Sequence, residues 1–214
     1  REGRRKSGMV VLGNHDTIDP SNTYAPTLSS AGLKILLSMA TSMKWKVVTF
    51  DIGNAYLNAP ISREIYLNIP DKYRRMLKVP TGNAIKLKRA LYGLRSSGRD
   101  WYLFFRDILC THQYKACTFD ATLYGRPGLL LGKNVDDIIA CGTRIELDRL
   151  LGIMKKKFSI KIQSISDYLG YNIIYQRIEN ENCLNITQHE YIDKVAKFYF
   201  SDLEVNKQEK LPRT

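Results

Sequence analysis

Apolar residues recur along this chain at two intervals, and the switch between them marks out its elements. Ser29 or Ser30 can cap a helix in which Leu33, Leu36, Leu37, Ala40 and Met43 follow at spacings of three and four, one apolar face ending near Lys44. Lys46 to Asp51 is short and dominated by β-branched and aromatic residues, the pattern of a strand. A second helix is predicted from about Ser97, where Ser97 and Asp100 have capping-box-like spacing, through Trp101, Phe104, Phe105, Ile108 and Leu109 to about Gln113. Ala121 to Gly125 and Leu129 to Cys141 read as strands separated by the turn Arg126-Pro127-Gly128. Asp136-Asp137 interrupts the second run as a hairpin tip would. Thr143 to Glu146 is a capping box opening a helix that turns Ile145, Leu147, Leu150, Leu151 and Met154 inward and ends on Lys155-Lys156-Lys157, where cations complement the helix dipole. Strand-like runs at Phe158 to Ile162, Tyr171 to Ile178 and Leu184 to Ile186 precede a last amphipathic helix carrying Ile192, Val195 and Phe198.

Strand, helix, hairpin, helix, strand is a βαββαβ order. It predicts an α+β fold, an antiparallel sheet with helices packed on one face. The stretch before Ser29 is punctuated by Gly8, Gly13, Asn14 and Asp19-Pro20-Ser21-Asn22, so it is expected to be irregular apart from a short strand at Met9 to Leu12.

Charge adds a partner to this picture. Among 214 residues, 33 are Lys or Arg and 21 are Asp or Glu, a net charge of +12 that points to a polyanion such as nucleic acid or an anionic surface. With 44% hydrophobic residues the chain can build a core, which excludes a largely disordered protein. Cys110, Cys117, Cys141 and Cys183 are widely separated, which argues against a disulfide scaffold or a regular zinc site and for a reducing compartment. No apolar run approaches the roughly 18 residues of a membrane span, so no membrane partner is expected. The opening Arg1-Glu2-Gly3-Arg4-Arg5 is expected to be the start of a piece of a longer polypeptide.

The candidate chemistry lies in the acids. Asp136-Asp137 sits between apolar strands, where a tight bend would keep both carboxylates near one site and a divalent cation would offset their repulsion. Asp51, ending another strand, can supply a third oxygen if the strands are neighbours, and hard oxygen donors suit Mg²⁺ or Mn²⁺. A solvated turn is the competing reading of an isolated Asp-Asp pair.

The surroundings of Asp51 shift the balance between them. Phe50-Asp51-Ile52-Gly53-Asn54-Ala55-Tyr56-Leu57-Asn58 resembles the first catalytic motif of the reverse transcriptases of Ty1/copia-type retrotransposons. Glu64 to Pro70 is similar to the segment after it, Leu87 to Gly98 with Trp101-Tyr102 to the second motif, and Val135-Asp136-Asp137 to Tyr-Val-Asp-Asp. Asp167-Tyr168-Leu169-Gly170 with Ile173 resembles the later leucine-glycine block, and Thr187-Gln188 with Tyr191-Ile192 the segment beyond it. The blocks stand in the family's order from about Lys6 to Phe200.

The resemblance implies an RNA-directed DNA polymerase domain of a retrotransposon polyprotein: partial fingers and a lead-in helix over 1–45, a palm over 46–165, and the palm's end with a connection toward a thumb over 166–214. It implies two-metal phosphoryl transfer with Mg²⁺ or Mn²⁺, Asp51 and Asp136 as ligands of both ions and Asp137 as an outer member. Ile52, Gly53, Asn54 and Ala55 would lie along the dNTP, Tyr56 would exclude a 2′-hydroxyl, and Lys6 would contact phosphate. Tyr92, Gly93 and Arg95, with Lys86, Lys88 and Arg89, would meet primer and template. Expected partners are an RNA or DNA template with its primer, dNTPs, and RNase H and integrase domains outside this chain. The expected setting is a cytoplasmic retroelement particle or the nucleus. Two positions depart from the pattern: Asn134 stands where the family has Tyr, in a polar lead-in Gly132-Lys133-Asn134, and Gly8 stands where an Arg is expected. They support the alternative of a nucleic-acid-binding remnant without catalysis.

Overall fold

The structure is a computed structural model, and it describes residues 10–13, 16, 18–178 and 181–200. The chain divides into two compact units, 1–163 and 164–214.

In the first unit α1 (Ser30–Ser42) leads into β1 (Lys46–Ile52), α2 (Ala55–Asn58), β2 (Tyr66–Leu67), α3 (Asp71–Leu77) and β3 (Ile85–Lys86). Then come α4 (Ser97–Thr111), β4 (Lys115–Ala116), β5 (Leu123–Arg126), β6 (Leu129–Asn134), β7 (Asp137–Gly142), α5 (Arg144–Lys157) and β8 (Ile160–Gln163). Ser29 caps α1, its hydroxyl accepting from the Gly32 N–H at 2.9 Å, and Thr143 caps α5 through the Glu146 N–H at 3.4 Å. Ser97 does not cap α4: it lies inside the first turn, and its hydroxyl donates to the Leu91 carbonyl at 2.7 Å, tying the helix to the preceding loop.

One antiparallel sheet in the order β4-β5-β6-β7-β1-β8 organises this unit. β1, α4, β6, β7, α5 and β8 follow one another along the chain in the expected βαββαβ order, and the expected strand β5 and the short β4 extend the sheet beyond β6. The expectation of helices on one face is corrected. Phe50, Ile52, Ile138 and Ala140 share a buried cluster with Trp101, Phe105 and Leu109 of α4 and Leu147, Leu150 and Met154 of α5. On the opposite face the Cys141 thiol lies 3.5 Å from the Leu36 carbonyl of α1. Both sets of alternating strand residues are buried there, Thr49, Ile139 and Cys141 as well as Phe50 and Ile138, and all of these but Thr49 are apolar, so each face needs a cover. Ile145, expected inward, is exposed, whereas Leu147, Leu150 and Met154 are buried. Val10–Leu12 forms no strand, though the Val11 N–H donates to the Tyr92 carbonyl at 2.9 Å, and Met9 lies outside the described residues.

The second unit contains β9 (Asp167–Tyr168), β10 (Tyr171–Ile178) and β11 (Glu181–Thr187), an antiparallel sheet in the order β11-β10-β9, followed by α6 (His189–Phe200). Tyr168 and Ile173 are buried, while Ile192, Val195 and Phe198 of α6 are exposed. Among the described residues no helix is long and apolar enough to cross a membrane, and all four cysteines are free.

Candidate active site

The site grows out of one hairpin and its neighbour. β6 and β7 pair from Leu129 opposite Gly142 to Asn134 opposite Asp137, which leaves Val135 and Asp136 as a two-residue turn. β1 lies on the other side of β7 with Asp51 opposite Asp137, and the Ile52 N–H donates to the Asp136 carbonyl at 2.9 Å. Directly opposed residues project from the same face of an antiparallel pair, so Asp51 and Asp137 are neighbours and Asp136 hangs from the adjoining turn.

This turn is held under strain. Val135 has φ +54°, a left-handed conformation that a β-branched side chain disfavours by roughly 1–2 kcal/mol. Its carbonyl accepts a hydrogen bond from the indole N–H of Trp101 at 2.7 Å, and Trp101 is fully buried against Phe105 and Phe158. Sequence periodicity assigns Trp101 to the core, which is correct, but spacing carries no trace of its role in fixing the turn.

Three carboxylates in a half-buried place repel one another. Burial, reinforced by the negative charge of Asp136, pushes the Asp51 carboxyl above its ordinary value, and Lys161, its cross-strand neighbour on β8, pulls the other way. Asp137 is raised as well, first by burial and then by Asp136 and Asp51. Among the described residues no set of three or more His, Cys, Asp or Glu side chains is arranged as a metal cage. That does not conflict with a Mg²⁺ site, because Mg²⁺ is held by one or two carboxylates with waters and substrate phosphates filling its other positions.

A loop and a short helix border the acids. The Gly53 N–H donates to the Ser159 carbonyl at 2.9 Å, Asn54 is left-handed at φ 51°, and α2 begins at the buried Ala55. The ring of Tyr56 lies 4.7 Å from that of Tyr92, tilted by 54°. Both phenols are raised, by burial first and then by Asp136, so both stay protonated donors at neutral pH. Tyr56 and Tyr92, distant in sequence, therefore meet beside the carboxylates. Gly93 has φ +93°, and a Cβ there would lie 2.0 Å from the Val11 carbonyl oxygen; a Cβ at Gly13 would lie 1.9 Å from the Gly93 carbonyl oxygen. The segment 10–13 thus packs backbone to backbone on this loop, which only glycine permits.

The basic residues divide. Lys88 and Arg95 are exposed, Lys86 is paired with Glu64, and Arg89 donates to the Asn58 carbonyl at 2.7 Å. Lys6 and Gly8 lie outside the described residues. One cation went unassigned in the sequence: Lys133 is buried at 1% exposure, its ammonium 5.4 Å from the centre of the Tyr102 ring. Burial pushes it down to about 8 against an opposing pull from Asp136. The polar lead-in Gly132-Lys133-Asn134 was its signal.

The assembly is an α+β unit presenting paired acids at a hairpin tip, bordered by aromatic and basic residues. Residues 1–210 match the family model of reverse transcriptase (RNA-dependent DNA polymerase), and the chain belongs to that family. It is similar to the retrovirus-related Pol polyprotein from transposon RE2 of Arabidopsis thaliana, 27% identical over 74% of this chain and 11% of that protein. The Pol polyprotein from transposon TNT 1-94 of Nicotiana tabacum is 27% identical over 91% of this chain and 15% of its own length. The Ty1-ER2 Gag-Pol polyprotein of Saccharomyces cerevisiae is 27% identical over 83% of this chain and 10% of its own. The chain therefore spans between 10% and 15% of the length of these relatives.

Proposed function

We propose that this chain supplies the palm, with part of the fingers, of a retrotransposon RNA-directed DNA polymerase that extends a primer from dNTPs on an RNA or DNA template. The observation that carries the reading is the register that sets Asp51 opposite Asp137 and hangs Asp136 from the adjacent strained turn. The proposed division keeps 1–45 as lead-in and fingers, 46–165 as palm and 166–214 as its continuation.

Asp51 and Asp136 would hold Mg²⁺ or Mn²⁺; they offer hard oxygens in a half-buried place where their negative charge is under-compensated. When bound, the metal supplies charge neutralisation and orients the reacting oxygens for in-line displacement. Asp137 completes the field from the outside. The N–H groups of Ile52 and Gly53 are committed to the Asp136 and Ser159 carbonyls, so they fix the loop, and Asn54, Ala55 and Tyr56 form the stretch that faces the triphosphate. Tyr56, braced by Tyr92, closes the space where a 2′-hydroxyl would project. Lys88 and Arg95 meet template and primer phosphates. Lys86 can join them, because an exposed ion pair such as Lys86–Glu64 is worth little and exchanges readily.

A specific observation favours a second reading, a nucleic-acid-binding remnant without catalysis. Lys133 brings a buried cation into the field of Asp136 and so competes with a metal for the same charge. Nucleic-acid binding is expected on either reading. Metal-dependent incorporation of one labelled dNTP onto a primer annealed to RNA separates them: incorporation with Mg²⁺ or Mn²⁺ that stops with chelator supports the polymerase, and binding without incorporation supports the remnant.

A further inference from the structure

At the opposite end of the sheet from the acids, two adjoining cavities of about 360 and 380 Å³ open between the C-terminal end of α4 and the face of α5. They share His112, Arg149 and Ile153; Arg126 lines the first, and Lys156 and Lys157 line the second. Arg126 lies opposite Leu129 at the far end of β6, five strand residues or roughly 17 Å from the hairpin tip.

The cationic side is built. Glu146, only 15% exposed, draws in both guanidinium groups, with Arg126 Nε at 3.1 Å and Arg149 Nη1 at 3.5 Å. Arg126 Nη1 also donates to the His112 carbonyl at 3.3 Å, and its guanidinium lies 5.4 Å from the centre of the buried Tyr114 ring. Of these contacts only that from Arg126 Nη1 to the His112 carbonyl is a hydrogen bond; Arg126 Nε and Glu146 Oε2 lie at ion-pair distance without hydrogen-bond geometry. A guanidinium carries five N–H donors in a rigid fork, so both retain donors for another acceptor. Four cations, Arg126, Arg149, Lys156 and Lys157, face one carboxylate across the two cavities. Lys156 and Lys157 also complement the C-terminal dipole of α5, but that role requires no cavity beside them.

We propose that this groove is a second phosphate-binding site, one that takes the phosphodiester backbone of a nucleic-acid strand away from the acid-centred site. Its length favours a strand over a single free phosphate, since the cations continue from the first cavity into the second. The inference stands independently of catalysis.

The test is the salt dependence of oligonucleotide affinity. Arg149→Gln, Lys156→Gln and Lys157→Gln combined change exposed positions on α5 to a good helix former, and folding is checked by circular dichroism. A control removes the same charge from the exposed Lys34, Lys44 and Lys46, also to Gln. Each lost single-strand phosphate contact lowers the slope of log affinity against log salt by about 0.7. The α5 variant is expected to lose about 2 units of slope for a single-stranded DNA 20-mer, with the control unchanged. Equal slopes in all three proteins, or equal losses in variant and control, overturn the proposal. A saturable response of the His112 imidazole signals to inorganic phosphate, with unchanged oligonucleotide slopes, also overturns it by assigning the groove to a free phosphate.

Discussion

Trp101 connects the core to the acids through a single hydrogen bond, and Trp101→Phe isolates that connection. The substitution keeps an aromatic ring among Phe104, Phe105 and Phe158 but removes the donor 2.7 Å from the Val135 carbonyl. A partly buried carbonyl left without its partner costs about 1–3 kcal/mol, and replacing the indole by a smaller ring adds about 1 kcal/mol of lost packing. A total near 3 kcal/mol is expected from urea unfolding. The larger consequence should fall on Asp136, next to a residue held at φ +54°. Once the anchor is lost the turn can relax, and a displacement of about 1 Å at a reacting group lowers turnover on the order of 100-fold. Phe105→Leu is the comparison: it is equally buried in the same cluster but bonds no backbone of the turn. It should lose about 1–2 kcal/mol of stability with little change in the single-turnover incorporation rate. If Trp101→Phe slows incorporation no more than Phe105→Leu does, the indole is packing alone and the account of the turn is wrong.

Other consequences are more local. Because Asp51 and Asp137 titrate above the ordinary 3.8 in the folded protein, ionising them costs stability, which should fall as pH rises from about that value through the raised folded values. Asp51→Asn should therefore raise the urea midpoint at pH 7 in chelator and lose that advantage at pH 3.5 or in Mg²⁺; a lower midpoint at pH 7 would contradict the repulsion. Lys133 is depressed to about 8 from 10.5, so the fold bears the cost of its charge below pH 8 and is relieved between those values. Lys133→Met should stabilise by up to about 3 kcal/mol at pH 7, with the gain shrinking toward pH 10.5, and a pH-independent difference would refute the buried charge. Gly93→Ala must move the Val11 carbonyl as well as adopt a positive φ, so a loss of at least about 2 kcal/mol in urea unfolding is expected.

The helices α1 and α5 were legible because each combines a 3.6-residue apolar rhythm with a capping Ser or Thr, whereas α4 was legible from its apolar rhythm alone, its Ser97 being no cap. The hairpin was legible because a pair of acids interrupts an apolar run, but its tip is one residue earlier than expected: the turn is Val135 and Asp136, and Asp137 already begins β7. What escaped was decided by tertiary pairing. Strands of two residues such as β2, β3 and β4 exist only through their partners, and α3 buries no residue and so shows no apolar face. The second covered face of the sheet was hidden because an apolar run reads alike whether one or both sides are packed. At the site, motif order pointed to the acids and to Tyr56, but the Trp101 anchor, the Lys161 counter-charge and the burial of Lys133 depend on residues brought together from different elements.

The account rests on Asp136 acting chemically, and the most direct test is the single-turnover rate of one dNTP onto an RNA-templated primer for the natural sequence and for Asp136→Asn, with primer–template affinity measured alongside. The expected result is a Mg²⁺-dependent rate that falls at least about 1,000-fold in the variant while affinity changes by less than about threefold. Equal rates in the two proteins would contradict the central claim.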